Sequence, residues 1–133
     1  MNEDYRITVI MGIYNCADTL VEALESLESQ TYKKFKVVLC DDGSKDDTFA
    51  VANKWAETHP NYIVIKNEHN MKLAATLNHC LDYADTEYVA RMDGDDLSVP
   101  TRFEKEIDFL DSHPEYAMVS CPMIYFDEGG DYK

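Results

Sequence analysis

The stretch Tyr88-Val-Ala-Arg-Met-Asp-Gly-Asp-Asp96 decides how this chain is read. Residues 88–92 are short and apolar enough for a buried strand. Behind them come three carboxylates, Asp93, Asp95 and Asp96, around Gly94. A strand that delivers carboxylates into a glycine-permitted turn is suited to holding a hard cation. Mg²⁺ or Mn²⁺ takes oxygen ligands from one or two side chains and completes its shell with water and phosphate. The same residues also suit an ordinary acidic surface turn, because Asp and Gly are common turn formers. The surrounding chain decides between the two.

Outward from that stretch, strands and helices alternate. RITVIMGIY over 6–14 and FKVVLC over 35–40 are β-branched apolar runs of strand length, and 62–66 supplies another. Asp18 or Thr19 can cap a first helix, Thr19 and Glu22 match a capping box, and Leu20, Leu24 and Leu27 form its inner face as far as Gln30. A second helix over 46–59 turns Phe49, Ala52 and Ala56 inward and closes at His59-Pro60, with Asp46 and Asp47 as caps at its positive end. A third, over 73–84, carries Leu73, Leu77, Leu81 and Ala84 in register. Pro100 suits the first turn of a fourth, which faces the core through Phe103, Ile107 and Leu110. Residues 118–126 offer one or two more strands.

This alternation predicts an α/β fold: a single domain with a mostly parallel sheet and helices on both faces. Such folds bind ligands beyond the carboxyl ends of their strands. Here those ends read Tyr14-Asn15, Asp41-Asp42 and Asp93 to Asp96, so a parallel sheet brings three polar clusters to one rim. Trp55 at helical spacing reads as packing. His59, His69, His79 and His113 show no ligand spacing and read as surface or loop residues.

Composition narrows the partners. With 133 residues, 45% hydrophobic and 29% charged, the chain is long enough for one globular domain. A net charge of -14 argues against nucleic acid, whose phosphates call for clustered Lys and Arg. A phosphorylated small molecule remains compatible if a divalent ion bridges it to the acidic site. Cys16, Cys40, Cys80 and Cys121 form no CxxC pair, which argues against zinc, and Cys40 and Cys121 in apolar runs read as buried free thiols. The polar, acidic start and the lack of a membrane-length apolar run favour a reduced, cytoplasmic setting, the inner face of a membrane included. Any peripheral membrane association would rest on regions outside this sequence.

Four motifs then stand in order: Ile7 to Asn15 (ITVIMGIYN), Val38 to Ser44 (VLCDDGS) with Asp47-Thr48, Asn70-x-x-Leu-Ala-Ala-x-Leu-Asn78, and Asp93-Gly-Asp-Asp96. Together, over residues 6–125, they resemble the family 2 glycosyltransferases, whose fold is the Rossmann-like GT-A fold of nucleotide-diphospho-sugar transferases. The resemblance implies transfer of a sugar from a nucleotide sugar, with UDP-sugar first and GDP- or dTDP-sugars as alternatives. The acceptor is a hydroxyl in a glycan, lipid or protein, the reaction inverts the anomeric carbon, and a divalent Mn or Mg cofactor assists. It places Ile13, Tyr14 and Asn15 against the nucleotide. Asp42, in preference to Asp41, accepts the base N–H, since an ionised carboxylate only accepts. Asp95 becomes the metal ligand, Asp93 and Gly94 lie at the nucleotide, and Asp93 and Asp96 hold sugar hydroxyls.

Some readings stay double. Tyr14 is either a nucleotide contact or a packed aromatic, and Asn70 and Asn78 are either functional or structural. Lys72 stands where many members have glycine; it either reaches the diphosphate as a point charge or is a solvated loop residue. Met11-Gly12 stands where the family often has proline. No catalytic residue is expected within the chain: Asp127, Glu128 and Asp131 match no family base motif, and the resemblance places the base, with the acceptor-binding half, beyond residue 133. Such a chain should bind donor and transfer little. A receiver domain is a rival reading, but its acidic pair would follow the first strand instead of the second. A non-catalytic nucleotide-sugar module is another, and a nucleotidyltransferase lacks its Gly-rich signature loop here.

Overall fold

The computed structural model describes residues 4–120, 125–127 and 130–132. Strands β1 (Ile7–Ile13), β2 (Phe35–Asp41), β3 (Tyr62–Lys66) and β4 (Tyr88–Arg91) form one parallel sheet in the order β3-β2-β1-β4. Register places Ile13 beside Asp41 and Ile10 beside Arg91. The chain steps outward from β1 to β3 and then returns to the other side of β1. Strand order therefore reverses at β1, which is where an open α/β sheet parts to admit a ligand.

Alternation sorts the core onto two faces. Ile7, Val9, Met11 and Ile13, with Phe35, Val37 and Leu39, pack against α1 (Ala17–Glu28), α2 (Thr48–Glu57) and α4 (Arg102–Ser112). Ile10, Val38 and Cys40 pack on the opposite face against Cys80 and Leu77 of α3 (Lys72–Leu81). The helices thus cover both faces. Leu20, Leu24 and Leu27 are fully buried, each stabilising the fold by about 2 kcal/mol relative to exposure. Phe103 of α4 meets Phe35 edge-on at 5.4 Å between ring centroids.

Several expected details differ. Thr19 does not cap α1; the cap position is Cys16, and Thr19 sits inside the first turn. Pro100 precedes α4 instead of opening it. Its carbonyl accepts the Thr31 N–H at 2.9 Å, while buried Gln30 caps α4 by accepting the Phe103 N–H at 3.1 Å. In α3 the buried residues are Thr76 and Cys80, and Leu73 and Leu81 stay 44% and 43% exposed. The reason is local: side-chain bonds to the first N–H groups of α3 set its rotation, and the leucine stripe follows. Asp47 holds the α2 cap position without a side-chain bond, whereas Asp46 accepts from Thr48 N–H and, across to α1, from Ala17 N–H at 3.3 Å.

Two histidines have more structure than a surface assignment. His59 stacks on Trp55 at 3.9 Å and donates from Nδ1 to the Trp55 carbonyl, and His113 donates to the Phe109 carbonyl at 2.9 Å. Each closes the end of its helix. Cys40 is buried as expected, and hydrogen bonding to Cys80, together with burial, holds its thiol protonated. Cys121 and Glu128 lie outside the described residues. Of the strands expected over 118–126, the structure shows β5 (Tyr125–Asp127), paired antiparallel with β6 (Gly130–Tyr132) apart from the main sheet. Among the described residues no helix is long and apolar enough to cross a membrane.

Candidate functional site

The three polar strand ends do meet on one rim. The β1 end is bound to the loop after β2 in both directions: Asn15 N–H donates to Ser44 Oγ at 2.9 Å, and Lys45 N–H donates to Asn15 Oδ1 at 2.8 Å. Asn15 adopts φ 48°, a left-handed conformation that Asn tolerates. The same loop turns at Gly43, where φ is 76° and a Cβ would stand 3.0 Å from the Asn70 backbone nitrogen. Only glycine fits that approach between the β2 and β3 loops.

On the α3 side of this rim lies a cavity of about 260 Å³ lined by Ile13, Tyr14, Asp42, Asn70, Lys72 and Leu73 among others. Tyr14 is 45% exposed at its mouth, so it is not a packed core aromatic. Asp42 is buried at its floor, and its carboxylate is already engaged. Oδ1 accepts from Met71 N–H at 2.7 Å and from Asn67 Nδ2 at 2.9 Å, while Oδ2 accepts Lys72 N–H at 3.1 Å. Burial pushes the Asp42 carboxyl up, but hydrogen bonds led by Met71 N–H and Asn67 outweigh it and hold the carboxyl below its ordinary value. With one hydrogen bond against two at Oδ1, Oδ2 keeps the more acceptor capacity, and Asp42 lines the cavity. Asp41, also buried, points elsewhere: Oδ2 accepts Ser44 N–H at 3.2 Å and Oδ1 has no hydrogen-bond partner among the described residues.

Lys72 sits at the cavity wall with φ 72°. A side chain in that region is strained, and glycine is the residue that adopts it freely. The position where the resemblance reads glycine is a left-handed position in this chain.

The carboxylates after β4 form the second part of the rim. One oxygen each of Asp93, Asp95 and Asp96 lies within 4.8 Å of the others. Asp93 Oδ1 is buried without a hydrogen-bond partner, and Arg91 is 3.6 Å from it. Burial, then the charges of Asp93 and Asp95, raise the Asp96 carboxyl. The turn is pinned from α1: Thr19 Oγ1 donates to the Gly94 carbonyl at 3.0 Å. A Cβ on Gly94 would lie 2.7 Å from Cys16 Sγ and 3.2 Å from Ile13 Cγ2, so the glycine lets the acidic turn close against β1. Converging carboxylates, one with an oxygen that accepts no hydrogen bond among the described residues, fit a hard divalent cation whose remaining ligands are water or phosphate oxygens. Ile13 borders both the cavity and this turn.

The structure thus brings Ile13, Tyr14, Asp42 and Lys72 around one cavity and Asp93, Gly94, Asp95 and Asp96 beside it. Asn15 serves the loop between. Sequence reading missed Asn67, Thr76, His79 and Thr19. Asn67, Thr76 and His79 stand in no recognisable spacing, and the capping-box spacing of Thr19 with Glu22 pointed to a cap instead of the acidic turn.

A parallel α/β sheet with a cavity and an acidic turn at its strand-order reversal defines a ligand-binding doubly wound fold. Residues 8–133 match the family described as glycosyl transferase family 2, and the chain belongs to that family. It is 49% identical over 131 residues to the putative glycosyltransferase EpsE of Bacillus subtilis, covering 98% of this chain and 47% of that protein. The chain spans about half the length of such relatives. Among solved structures, S. aureus TarS 1-349 in complex with UDP matches at TM-score 0.75 and 30% identity, covering 82% of this chain and 33% of that one. The mannosyltransferase PcManGT of Pyrobaculum calidifontis, in complex with GDP-Man and Mn2+, matches at TM-score 0.73 and 33% identity, covering 79% and 32%.

Proposed function

We propose that this chain forms the donor-binding part of a metal-assisted glycosyltransferase that uses a UDP-sugar and inverts the anomeric carbon of the sugar it transfers to an acceptor hydroxyl. The observation that carries the reading is the pairing of the Asp42 cavity with three convergent carboxylates across Ile13. Support for a nucleotide sugar also comes from TarS, whose structure holds UDP, and PcManGT, whose structure holds GDP-Man and Mn2+.

In this reading Asp42 Oδ2 accepts the uracil N3–H, and Tyr14 covers the base at the cavity mouth. Lys72 reaches the diphosphate, where its charge offsets the negative charge that grows on the leaving group. Asp93 takes ribose or sugar hydroxyls, Asp96 a sugar hydroxyl, and Asp95 holds the cation. A bound Mn²⁺ or Mg²⁺ supplies Lewis acidity to the departing diphosphate. The base that deprotonates the acceptor hydroxyl comes from residues other than these.

Calorimetric titration of UDP, GDP and dTDP with and without Mn²⁺ tests the proposal. The expected outcome is Mn²⁺-dependent UDP binding that Asp95→Ala lowers at least tenfold, while the fold is unchanged because Asp95 is exposed. Equal binding with and without Mn²⁺ sinks the metal role. A folded chain that binds none of the three nucleotides sinks the donor site.

A further inference from the structure

We infer that Asn67 and His79 are positioning residues that aim the Asp42 carboxylate, and so set base recognition; this rests on the donor-site reading above. Asn67 follows β3 and is 6% exposed, and all of its amide groups are engaged. Nδ2 donates to Asp42 Oδ1 at 2.9 Å and to Thr76 Oγ1 at 3.0 Å. Oδ1 accepts from His79 Nδ1 at 2.8 Å and faces Cys40 Sγ at 3.5 Å.

An amide has two donors on one side and two acceptor lone pairs on the other, so its orientation is set by what surrounds it. With its nitrogen toward Asp42, every group of Asn67 is satisfied. Turned over, its oxygen would face the Asp42 carboxylate, acceptor against acceptor, in a buried place. His79 makes the difference two-sided. With its proton on Nδ1, His79 donates to the Asn67 oxygen at 2.8 Å, a far stronger acceptor than Cys40 Sγ at 3.5 Å. Thr76 completes the arrangement by donating its own proton to the Lys72 carbonyl at 2.8 Å, which leaves its oxygen free to accept from Asn67.

The consequence falls on one oxygen. Asn67 and Met71 N–H occupy Asp42 Oδ1, so Oδ2 is the oxygen left with spare acceptor capacity at the cavity that Asp42 lines. A residue in the last turn of α3, outside the lining of the cavity, thereby fixes which oxygen a base meets.

The test compares two probes, UDP with Mn²⁺ and inorganic pyrophosphate with Mn²⁺, because the inference concerns the base and not the phosphates. His79→Phe keeps a ring beside Tyr83, whose centroid is 6.2 Å away, and removes the donor. It should weaken UDP binding about fivefold, the loss expected when one oriented hydrogen bond is misplaced, and leave pyrophosphate unchanged. His79→Asn, which restores a donor near Nδ1, should recover most of the UDP affinity. Wild-type UDP affinity in His79→Phe overturns the inference, as does an equal loss for both probes. Absence of UDP binding in the unaltered chain overturns the donor reading itself. Independently of any variant, the long-range ¹H–¹⁵N spectrum of the unaltered chain at about pH 8 should show the Nδ1–H tautomer of His79. An Nε2–H tautomer overturns the inference.

Discussion

The Asp42 carboxylate accepts the Lys72 N–H at 3.1 Å and holds that residue at φ 72° where α3 begins. Asp42, just after β2, and Asn70, whose Oδ1 accepts the same N–H at 3.2 Å, thus hold the backbone at the opposite wall of the cavity. A strained residue held by a buried carboxylate at a ligand cavity is the kind of local cost that binding sites sustain.

Lys72→Gly should therefore raise stability by about 1 kcal/mol, since the left-handed strain is relieved by more than the added freedom of the unfolded chain. The same change should lower UDP affinity, because it removes the charge proposed to reach the diphosphate. Urea midpoints check the first part and calorimetry the second. A less stable Lys72→Gly would show that φ 72° is not a strained position.

Asp42 carries structure as well as recognition. Asp42→Ala strands Met71 N–H and one N–H of the Asn67 amide, while Lys72 N–H keeps Asn70 Oδ1 at 3.2 Å, at a cost of about 3 kcal/mol. Asp42→Asn keeps the shape and one acceptor, but offers a donor where the base N–H must be met. It should keep more of the stability than Asp42→Ala while still losing UDP selectivity over GDP. Denaturation read together with nucleotide titration separates these effects. Unaltered UDP selectivity in a folded Asp42→Asn would remove Asp42 from base recognition.

Gly94→Ala places a methyl 2.7 Å from Cys16 Sγ, at the turn that presents the acidic residues. Overpacking of this kind costs about 1–3 kcal/mol. Because the clash is with one sulfur, the double variant Gly94→Ala/Cys16→Ala should recover part of the loss, and the coupling energy of the cycle measures the contact. Strict additivity of the two changes would mean that Ile13, 3.2 Å away, is the real obstacle.

At the opposite end of the sheet, Arg6 donates to both oxygens of Asp111, at 2.8 and 2.9 Å, and Tyr88 OH donates to Asp111 at 3.0 Å. Arg6 first, then Tyr88, pulls the Asp111 carboxyl from 3.8 down to about 2. A depressed carboxyl takes up its proton later in the folded state than in the unfolded one, so this contribution is complete above 3.8 and fades as pH falls toward 2. The group is exposed, so salt should weaken the effect. Urea midpoints at a pH above and a pH below that value should fall less for Asp111→Asn than for the unaltered chain. An equal fall in both would remove Asp111 from the acid response.

The sequence alone determined the elements that depend on near neighbours. β-branched runs made the strands, Leu20, Leu24 and Leu27 faced α1 inward, and the carboxylates after β2 and β4 were legible because they adjoin their strands. Parallel alternation was enough to place the three strand ends on one rim. Only the tertiary structure decided how those groups are used. The rotation of α3 follows from the bonds that Asp42 makes to Met71 and Lys72, not from the periodicity of Leu73, Leu77 and Leu81. The partnership of Asn67 with His79, and the contact of Gly94 with Cys16, join residues that share no spacing pattern. Such contacts arise from the β3-β2-β1-β4 order of the sheet. A hydrogen bond or close contact between residues far apart in the chain leaves no periodic trace in the sequence, because it depends on where whole elements come to rest.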